Sequence, residues 1–371
     1  MDSRLFSPLQ VGSLELHNRI TMAPLYLGYA GQGGTVSPLM LEHYQLMGQS
    51  GASLVIVENA TVDHPTGSSS DRTLRLDTDD NLPGLRNLAQ TIQSGGAKAG
   101  IQINHAGRFA GVQEPVAPSA VETFGRTPRA LSEDELPAIR DRFAQAARRA
   151  MQAGFDMVEL HGGTGYLLAQ FLSPRTNQRT DAYGGSLDQR LRFPMEVLEA
   201  VRSAVGEYPV GYRFLADEWL PDGLTLEESS RAAEALSQAG AAYLSVMGGT
   251  YESFFQPEIV ELSKNEGYMA DLAAEIREHV QVPVICAGRI ATFRTAEGIL
   301  ASGQADLIGL ARVLWADPDW PRKVEQGREK EIIHCDPACE DICMQLVMQG
   351  KPAYCPQWPP EKTRRFKDLF R

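Results

Sequence analysis

The sequence predicts an α/β fold, a (β/α)8 TIM barrel with a short C-terminal cysteine-containing segment, and three observations predict it. First, a helical stretch that ends in Gly and gives way within a few residues to an apolar strand recurs as QSGASLVIV at 49, SGGAKAGIQI at 94, QAGFDMVEL at 152, QAGAAYLSV at 238 and ASGQADLIGL at 301. Glycine fits the left-handed backbone position that closes a helix, so each copy marks a helix-to-strand crossing. Second, three more apolar runs, ITMAPL at 20, VGYRFLA at 210 and PVICAGR at 283, read as strands and bring the number to eight. Third, helical periodicity fills the intervals with no composition break or linker, and Ser132 with Glu135, like Thr225 with Glu228, is spaced as a capping box. Eight strands alternating with helices define a barrel over residues 1–330, with 331–371 as a C-terminal cysteine-cluster extension packed on it.

Composition narrows the function. The 371 residues carry 35 basic against 47 acidic side chains, a formal net charge of -12, which disfavours nucleic acid or an anionic membrane surface as the main partner. MDSRLFSPLQ lacks a secretory pattern and no run of about 18 apolar residues occurs, so a soluble cytoplasmic protein without membrane association is expected. Four of the five cysteines fall between 335 and 355, which reads as a local ligand cluster rather than a disulfide framework.

Barrels of this class place their active sites at the carboxyl ends of the strands. Those ends are polar here: Tyr26 after strand one, Glu58 and Asn59 on strand two, Gln102, Asn104 and His105 on three, Glu159 and His161 on four, Arg213 on five. Strands seven and eight end in Gly288–Arg289 and Ala311–Arg312, where backbone amides beside two arginines suit a phosphate and hence a phosphate-bearing cofactor. After strand four, Gly162, Gly163 and Gly165 let the chain turn while His161, Thr164 and Tyr166 offer three polar tips. A proton donor and a carbonyl-polarising donor can both face one pocket from there. Alone, His161 and Tyr166 would read as a strand cap and core filling; the polar strand ends around them decide against that.

Four stretches, LFSPLQVGSLELHNRITMAPL at 5, GIQINHAGR at 100, HGGTGYLLAQFLSPRTNQRTDAYGGS at 161 and ADLIGLARVLWADPDWP at 305, resemble the flavin-dependent old yellow enzyme family, nearest the barrel part of its branch containing 2,4-dienoyl-CoA reductase and trimethylamine dehydrogenase. The resemblance implies bound FMN, with Pro24 and Leu25 at the flavin's reactive face, Ala60 and Gln102 on the pyrimidine ring, and Arg213 by the N1/O2 edge. Gly288, Arg289, Ala311 and Arg312 would hold the phosphate. It also implies hydride delivery from flavin N5 to the β carbon of an activated alkene, with Tyr166 protonating the α carbon and His161 gripping the carbonyl. This sequence departs from the family in having Thr164 where a second His or Asn is usual, and Tyr26 where many relatives have Thr or Cys. Tyr251 aligns near a catalytic histidine of the dienoyl-CoA reductases. Tyr26, Tyr166 and Tyr251 therefore either form an aromatic substrate pocket, or Tyr26 and Tyr251 pack under loops.

Cys335, Cys339, Cys343 and Cys355 form Cys-x3-Cys-x3-Cys-x11-Cys, placed where that branch carries a 4Fe-4S cluster, although the first gap there is normally two residues. A four-cysteine zinc site and inert thiols on one helix face compete, the latter weakened by Pro337. Cys286, inside strand seven, is expected in the core. Cluster-bearing relatives continue into a dinucleotide-binding part, whereas this sequence ends at 371, and GYAGQGG at 28 lacks GxGxxG spacing and reads as a loop. Electrons are thus expected to pass to or from a separate protein, or NAD(P)H must use the substrate's own pocket in a ping-pong cycle. The terminal PQWPPEKTRRFKDLFR is expected to be a solvated tail, with docking on a partner or a neighbouring subunit of a homo-oligomer as the alternative.

The leading expectation is an FMN-dependent ene-reductase acting on an unsaturated carbonyl compound or thioester. The alternative is a flavin dehydrogenase or demethylase of an amine or other saturated substrate, passing electrons through the cluster to a partner protein. A glycoside hydrolase built on Glu58 and Glu159 needs neither the phosphate site nor the cysteines and stands far behind.

Overall fold

In the computed structural model, which describes residues 3–339 and 341–370, the helix-closing glycines Gly51, Gly96, Gly154, Gly240 and Gly303 all have positive φ, from 76° to 102°. After each of them the chain enters a barrel strand, as the repeated pattern requires. The strands are β1 (Ile20–Met22), β2 (Leu54–Thr61), β3 (Lys98–Asn104), β4 (Met157–Gly162), β5 (Val210–Asp217), β6 (Leu244–Gly248), β7 (Val284–Cys286) and β8 (Leu307–Leu310). They close in sequence order, and β8 returns to β1 in parallel through Ile308↔Ile20 and Leu310↔Met22. Between them run α1 (Pro38–Gly48), α2 (Leu82–Ser94), α3 (Leu136–Gln152), α4 (Leu187–Val205), α5 (Leu226–Gln238), α6 (Ala270–His279) and α7 (Phe293–Ala301). The fold is the (β/α)8 barrel expected.

The capping boxes come out unevenly. Ser132 and Glu135 form the reciprocal pair ahead of α3. Thr225 accepts from the Glu228 amide, but the Glu228 carboxylate turns to Arg190 on α4, so only half of that box exists. A full box that the spacing reading passed over, Ser186 with Gln189, opens α4.

One end of the barrel is plugged. Leu9–Val11 pairs antiparallel with Leu14–Leu16 across a two-residue turn in which Gly12 has φ of 55°. Val11 and Leu16 are fully buried against Leu54, Ile56, Met157, Tyr243, Ile285 and Leu307. With that mouth sealed by apolar side chains, chemistry is left to the other. Above the plug lies a polar layer in which Glu159 accepts from Gln102 Nε2 at 2.8 Å and from the Tyr243 hydroxyl at 2.7 Å. Glycine makes room for it: a Cβ on Gly211 would lie 2.3 Å from Tyr243 Cζ.

After β8 the chain forms α8 (Arg312–Ala316) and α9 (Trp320–Glu325), then α10 (Ile342–Met348) and α11 (Pro360–Asp368). The C-terminal stretch is not a solvated tail. Trp358 Nε1 donates to Trp315 O at 2.9 Å, Phe366 is buried, and Arg365 pairs with Glu42 on α1. Two large aromatic side chains outweigh the surrounding charge because their burial stabilises docking by roughly 1.5–3 kcal/mol each. The four C-terminal cysteines do not share a helix face: Cys335 precedes the 3-10 turn Pro337–Cys339, Cys343 is in α10, and Cys355 lies in the loop beyond it. Cys286 is fully buried, as expected for core. Among the described residues no helix is long and apolar enough to cross a membrane.

Candidate active site at the carboxyl ends of the strands

Pro24, Arg213, Gly288, Arg289, Ala311 and Arg312, drawn from the ends of β1, β5, β7 and β8, line one cavity of about 160 Å3, together with Tyr268. Gly288 and Arg289 turn the chain there with φ of 112° and 48°. A Cβ on Gly288 would stand 3.2 Å from Met269 and Tyr268 side-chain atoms, so the missing side chain keeps the floor open. Arg289 Nε donates to Ser263 O at 2.7 Å, and Arg312 pairs with Asp341, whose charge helps hold the guanidinium pKa above its ordinary value. Arg213 Nη1 donates to Ser245 Oγ at 2.7 Å, while burial lowers its pKa and Glu159 opposes that. Three guanidiniums around a glycine-floored turn suit an anionic, phosphate-bearing group, so the residues present fit the phosphate end of FMN. Ala60 is fully buried where the β2–β3 register shifts, Leu25 is half-buried on the core, and Gln102 is engaged by Glu159.

The second cluster sits above β4. His161 is buried, with its ring edge-on to Tyr166 at a centroid separation of 4.8 Å. The Gly163 amide donates to its Nδ1 at 3.2 Å, which leaves the ring proton on Nε2. Burial and the Arg213 charge hold the imidazole pKa well below its ordinary value, so the ring is a neutral donor. Tyr166 is 4% exposed and its hydroxyl lies 2.8 Å from that of Tyr251. Burial, and then the Tyr251 hydroxyl, push the Tyr166 phenol well above 10.0. Tyr26 hydrogen-bonds Ser70 Oγ at 2.5 Å and is pushed up to about 12 by burial, with Tyr251 close enough to add to the shift. The three tyrosines are thus neighbours, and all are protonated at neutral pH. Thr164 adopts φ of 58° and turns its hydroxyl to Met247 Sδ at 3.5 Å.

Sequence reading missed two aromatic walls. Phe109 packs edge-on against Tyr251 at 5.1 Å and Tyr166 at 6.4 Å, and Tyr268 faces the arginines. Phe109 was legible as the residue after GIQINHAGR; Tyr268 sits in NEGYMA, which carries no signal. Glu58 and Glu159, the glycosidase candidates, line neither part of the site. Glu58 accepts the Leu27 amide at 3.0 Å, its Oε1 has no partner, and burial raises its pKa to about 8. Because that pKa lies above the ordinary 4.5, the folded carboxyl keeps a proton that the unfolded chain gives up, and stability falls as pH rises from 4.5 to about 8. Glu58→Gln removes this dependence. Thermal unfolding across pH should show the variant gaining on wild type by a few degrees as pH rises to about 8, and by no more above it.

The barrel carries an arginine-lined cavity and a tyrosine–histidine cluster at one mouth, and comparison with known proteins gives its family. The NADH:flavin oxidoreductase / NADH oxidase family model matches residues 4–331, and the chain belongs to that family. It is 44% identical over 340 residues to an NADH oxidase of Thermoanaerobacter brockii, covering 89% of this chain and 52% of that one. A metal reductase of Desulforamulus reducens is 41% identical over 360 residues, covering 95% and 53%. The chain therefore spans about half the length of these curated relatives. Against an NADPH dehydrogenase of Bacillus velezensis, 35% identical over 338 residues, it covers 90% of this chain and 97% of that one. Among solved structures, a 2-naphthoyl-CoA reductase complex superposes with a TM-score of 0.91 at 29% identity, covering 96% of this chain and 57% of that one. Histamine dehydrogenase from Rhizobium sp. 4-9 gives a TM-score of 0.86 at 31% identity, covering 96% and 52%. Family membership supports FMN as the flavin.

Proposed function

We propose that this protein is an FMN-dependent ene-reductase acting on the activated C=C of an unsaturated carbonyl compound or thioester. The observation that carries the reading is the pairing of a neutral Nε2–H donor, His161, with a protonated phenol, Tyr166, 4.8 Å away ring to ring. Gly288, Arg289, Ala311 and Arg312 would hold the FMN phosphate, Arg213 its electron-rich edge, and Pro24, Leu25, Ala60 and Gln102 its ring. Bound FMN supplies a hydride from N5. His161 donates a hydrogen bond to the substrate carbonyl oxygen, which draws electron density from the alkene and orients it. Tyr166, with the Tyr251 hydroxyl 2.8 Å from its own, gives its proton to the α carbon and takes a new one from solvent. Tyr26 and Phe109 wall an aromatic pocket, and Thr164, turned to Met247, shapes the loop while leaving the carbonyl to His161. The likeness to 2-naphthoyl-CoA reductase supports a thioester as one substrate class.

One observation favours a second reading, a dehydrogenase or demethylase of an amine passing electrons to a partner protein. The Cys355 thiol, pushed up to about 11 chiefly by burial, is raised further by Cys335, Cys343 and Cys339, so the four sulfurs lie within electrostatic reach of one another. Among the described residues no group of three or more His, Cys, Asp or Glu side chains is placed to hold a metal ion, so closure on a 4Fe-4S centre needs this segment to draw in. We assign residues 1–330 as the flavin barrel and 331–371 as a C-terminal cysteine-containing extension packed on it.

Anaerobic titration of oxygen-protected protein with NADH and then NADPH, following flavin and iron–sulfur absorbance together, separates the readings. Flavin bleaching reversed by an unsaturated ketone is expected. Bleaching by dithionite alone would overturn direct nicotinamide reduction and turn the assignment to a partner protein.

A further inference from the structure

Outside the barrel wall, between α1, α11 and Trp315, lies a second cavity of about 430 Å3 that shares no lining residue with the arginine-lined one. Tyr29, Trp315, Trp358 and Phe366 give it aromatic walls. Two buried polar atoms on those walls lack a hydrogen-bond partner, and a half-buried ammonium beside them lacks a close ion pair. His43 is 6% exposed and its Nε2 makes no hydrogen bond. Lys362 lies with Nζ 4.0 Å from the centroid of the Trp358 ring, and no carboxylate is within ion-pair distance of it among the described residues. The indole N–H of Trp315 lies near the Tyr29 hydroxyl, which donates to Ala353 O at 2.7 Å, but makes no hydrogen bond.

A buried polar group left unpaired is destabilising, and an apolar residue at position 43 would avoid that cost. The acids at the rim make no close pair with these groups: Glu42 and Glu361 are exposed, and Glu42, whose charge reaches Lys362 only from a distance, is paired with Arg365 at 3.0 Å. The lining therefore carries one ammonium, one indole N–H and one imidazole without a close partner, set in aromatic surface. Burial and the Lys362 charge hold His43 down at about 3, so the imidazole stays neutral and its Nε2–H tautomer can donate.

We propose that this cavity is a second ligand site for a small apolar carboxylate. Its hydrocarbon body lies between the aromatic walls, and its carboxylate meets Lys362 Nζ, His43 Nε2 and Trp315 Nε1. The volume is within the range of small-molecule sites, whose usual plan is an apolar lining with a few convergent polar groups. The Arg365–Glu42 pair spans the rim from α11 to α1, and an exposed pair contributes little to stability, so it yields readily to an entering molecule.

The test uses the full chain with its flavin bound, titrated with 4-phenylbutanoate and, separately, its neutral amide, reading tryptophan fluorescence, calorimetry and flavin absorbance together. The acid is expected to bind saturably, at least roughly tenfold tighter than the amide, and without perturbing the flavin spectrum. Lys362→Met should weaken the acid roughly tenfold and leave the amide unchanged. Leu46→Trp, filling the cavity from a partly exposed position, should abolish binding of both, with melting temperature and flavin content reporting that each variant folds. Equal affinity for acid and amide, no effect of K362M, a flavin spectrum that shifts with binding, or no saturable binding would overturn the proposal.

Discussion

Tyr166→Phe is expected to slow reduction of an unsaturated ketone by roughly 10²–10⁴-fold while leaving flavin reduction by NAD(P)H within about twofold of wild type. The argument rests on the state of the phenol. Tyr166 is buried, its pKa is pushed well above 10.0, and its hydroxyl is 2.8 Å from Tyr251. It therefore holds its proton through neutral pH, and only a strongly basic developing carbanion can take it. The reductive half-reaction needs no proton from Tyr166, so the two half-reactions separate under stopped flow. Equal slowing of both would mean that Phe had disturbed the packing of His161 and Phe109, and the proton-donor role would fall. Tyr251→Phe removes the hydrogen bond but not the donor, and should cost far less.

How much was legible follows from what local sequence encodes. The strands and helices were readable because each depends on neighbours a few positions apart: apolar runs for the strands, and glycines such as Gly154 and Gly240, which the structure holds at φ of 84° and 87°. The site residues of β4 were readable for the same reason, since GGTG forces a turn beside His161. The half-made cap at Thr225 was not, because Glu228 is drawn to Arg190 on another helix and spacing says nothing of that competition. The docked C-terminus was misread because its charges are consecutive in sequence, whereas the burial of Trp358 and Phe366 depends on Trp315 and α1, far away along the chain. Phe109 and Tyr268 come from loops that meet only once the barrel has closed. Long-range burial is the step that a linear pattern carries least.

The other large effect concerns charge at the cavity floor. Arg213→Met is expected to leave the protein mostly free of flavin, with affinity for FMN lowered by more than about tenfold. Arg213 projects from β5 into the arginine-lined cavity and is fixed by Ser245. Behind it Glu159 is fully buried; burial raises its pKa, and the Arg213 charge is the largest influence lowering it. Without Arg213 the carboxyl pKa moves further above its unfolded value, so the folded state binds a proton that the unfolded state has lost. The variant should then lose stability as pH rises above the ordinary carboxylate range, more steeply than wild type. Adding Glu159→Gln supplies a neutral side chain that can still accept from Gln102 or Tyr243, and should flatten that pH dependence. It should not restore flavin binding, because the positive charge is still missing, whereas Arg213→Lys should restore part of it. Flavin content and melting temperature measured across pH for the four proteins therefore separate a cofactor-binding charge from one that only balances Glu159. If the double variant regained FMN, Arg213 would be a structural counter-charge, and the electron-rich edge of the flavin would have to be held by another residue.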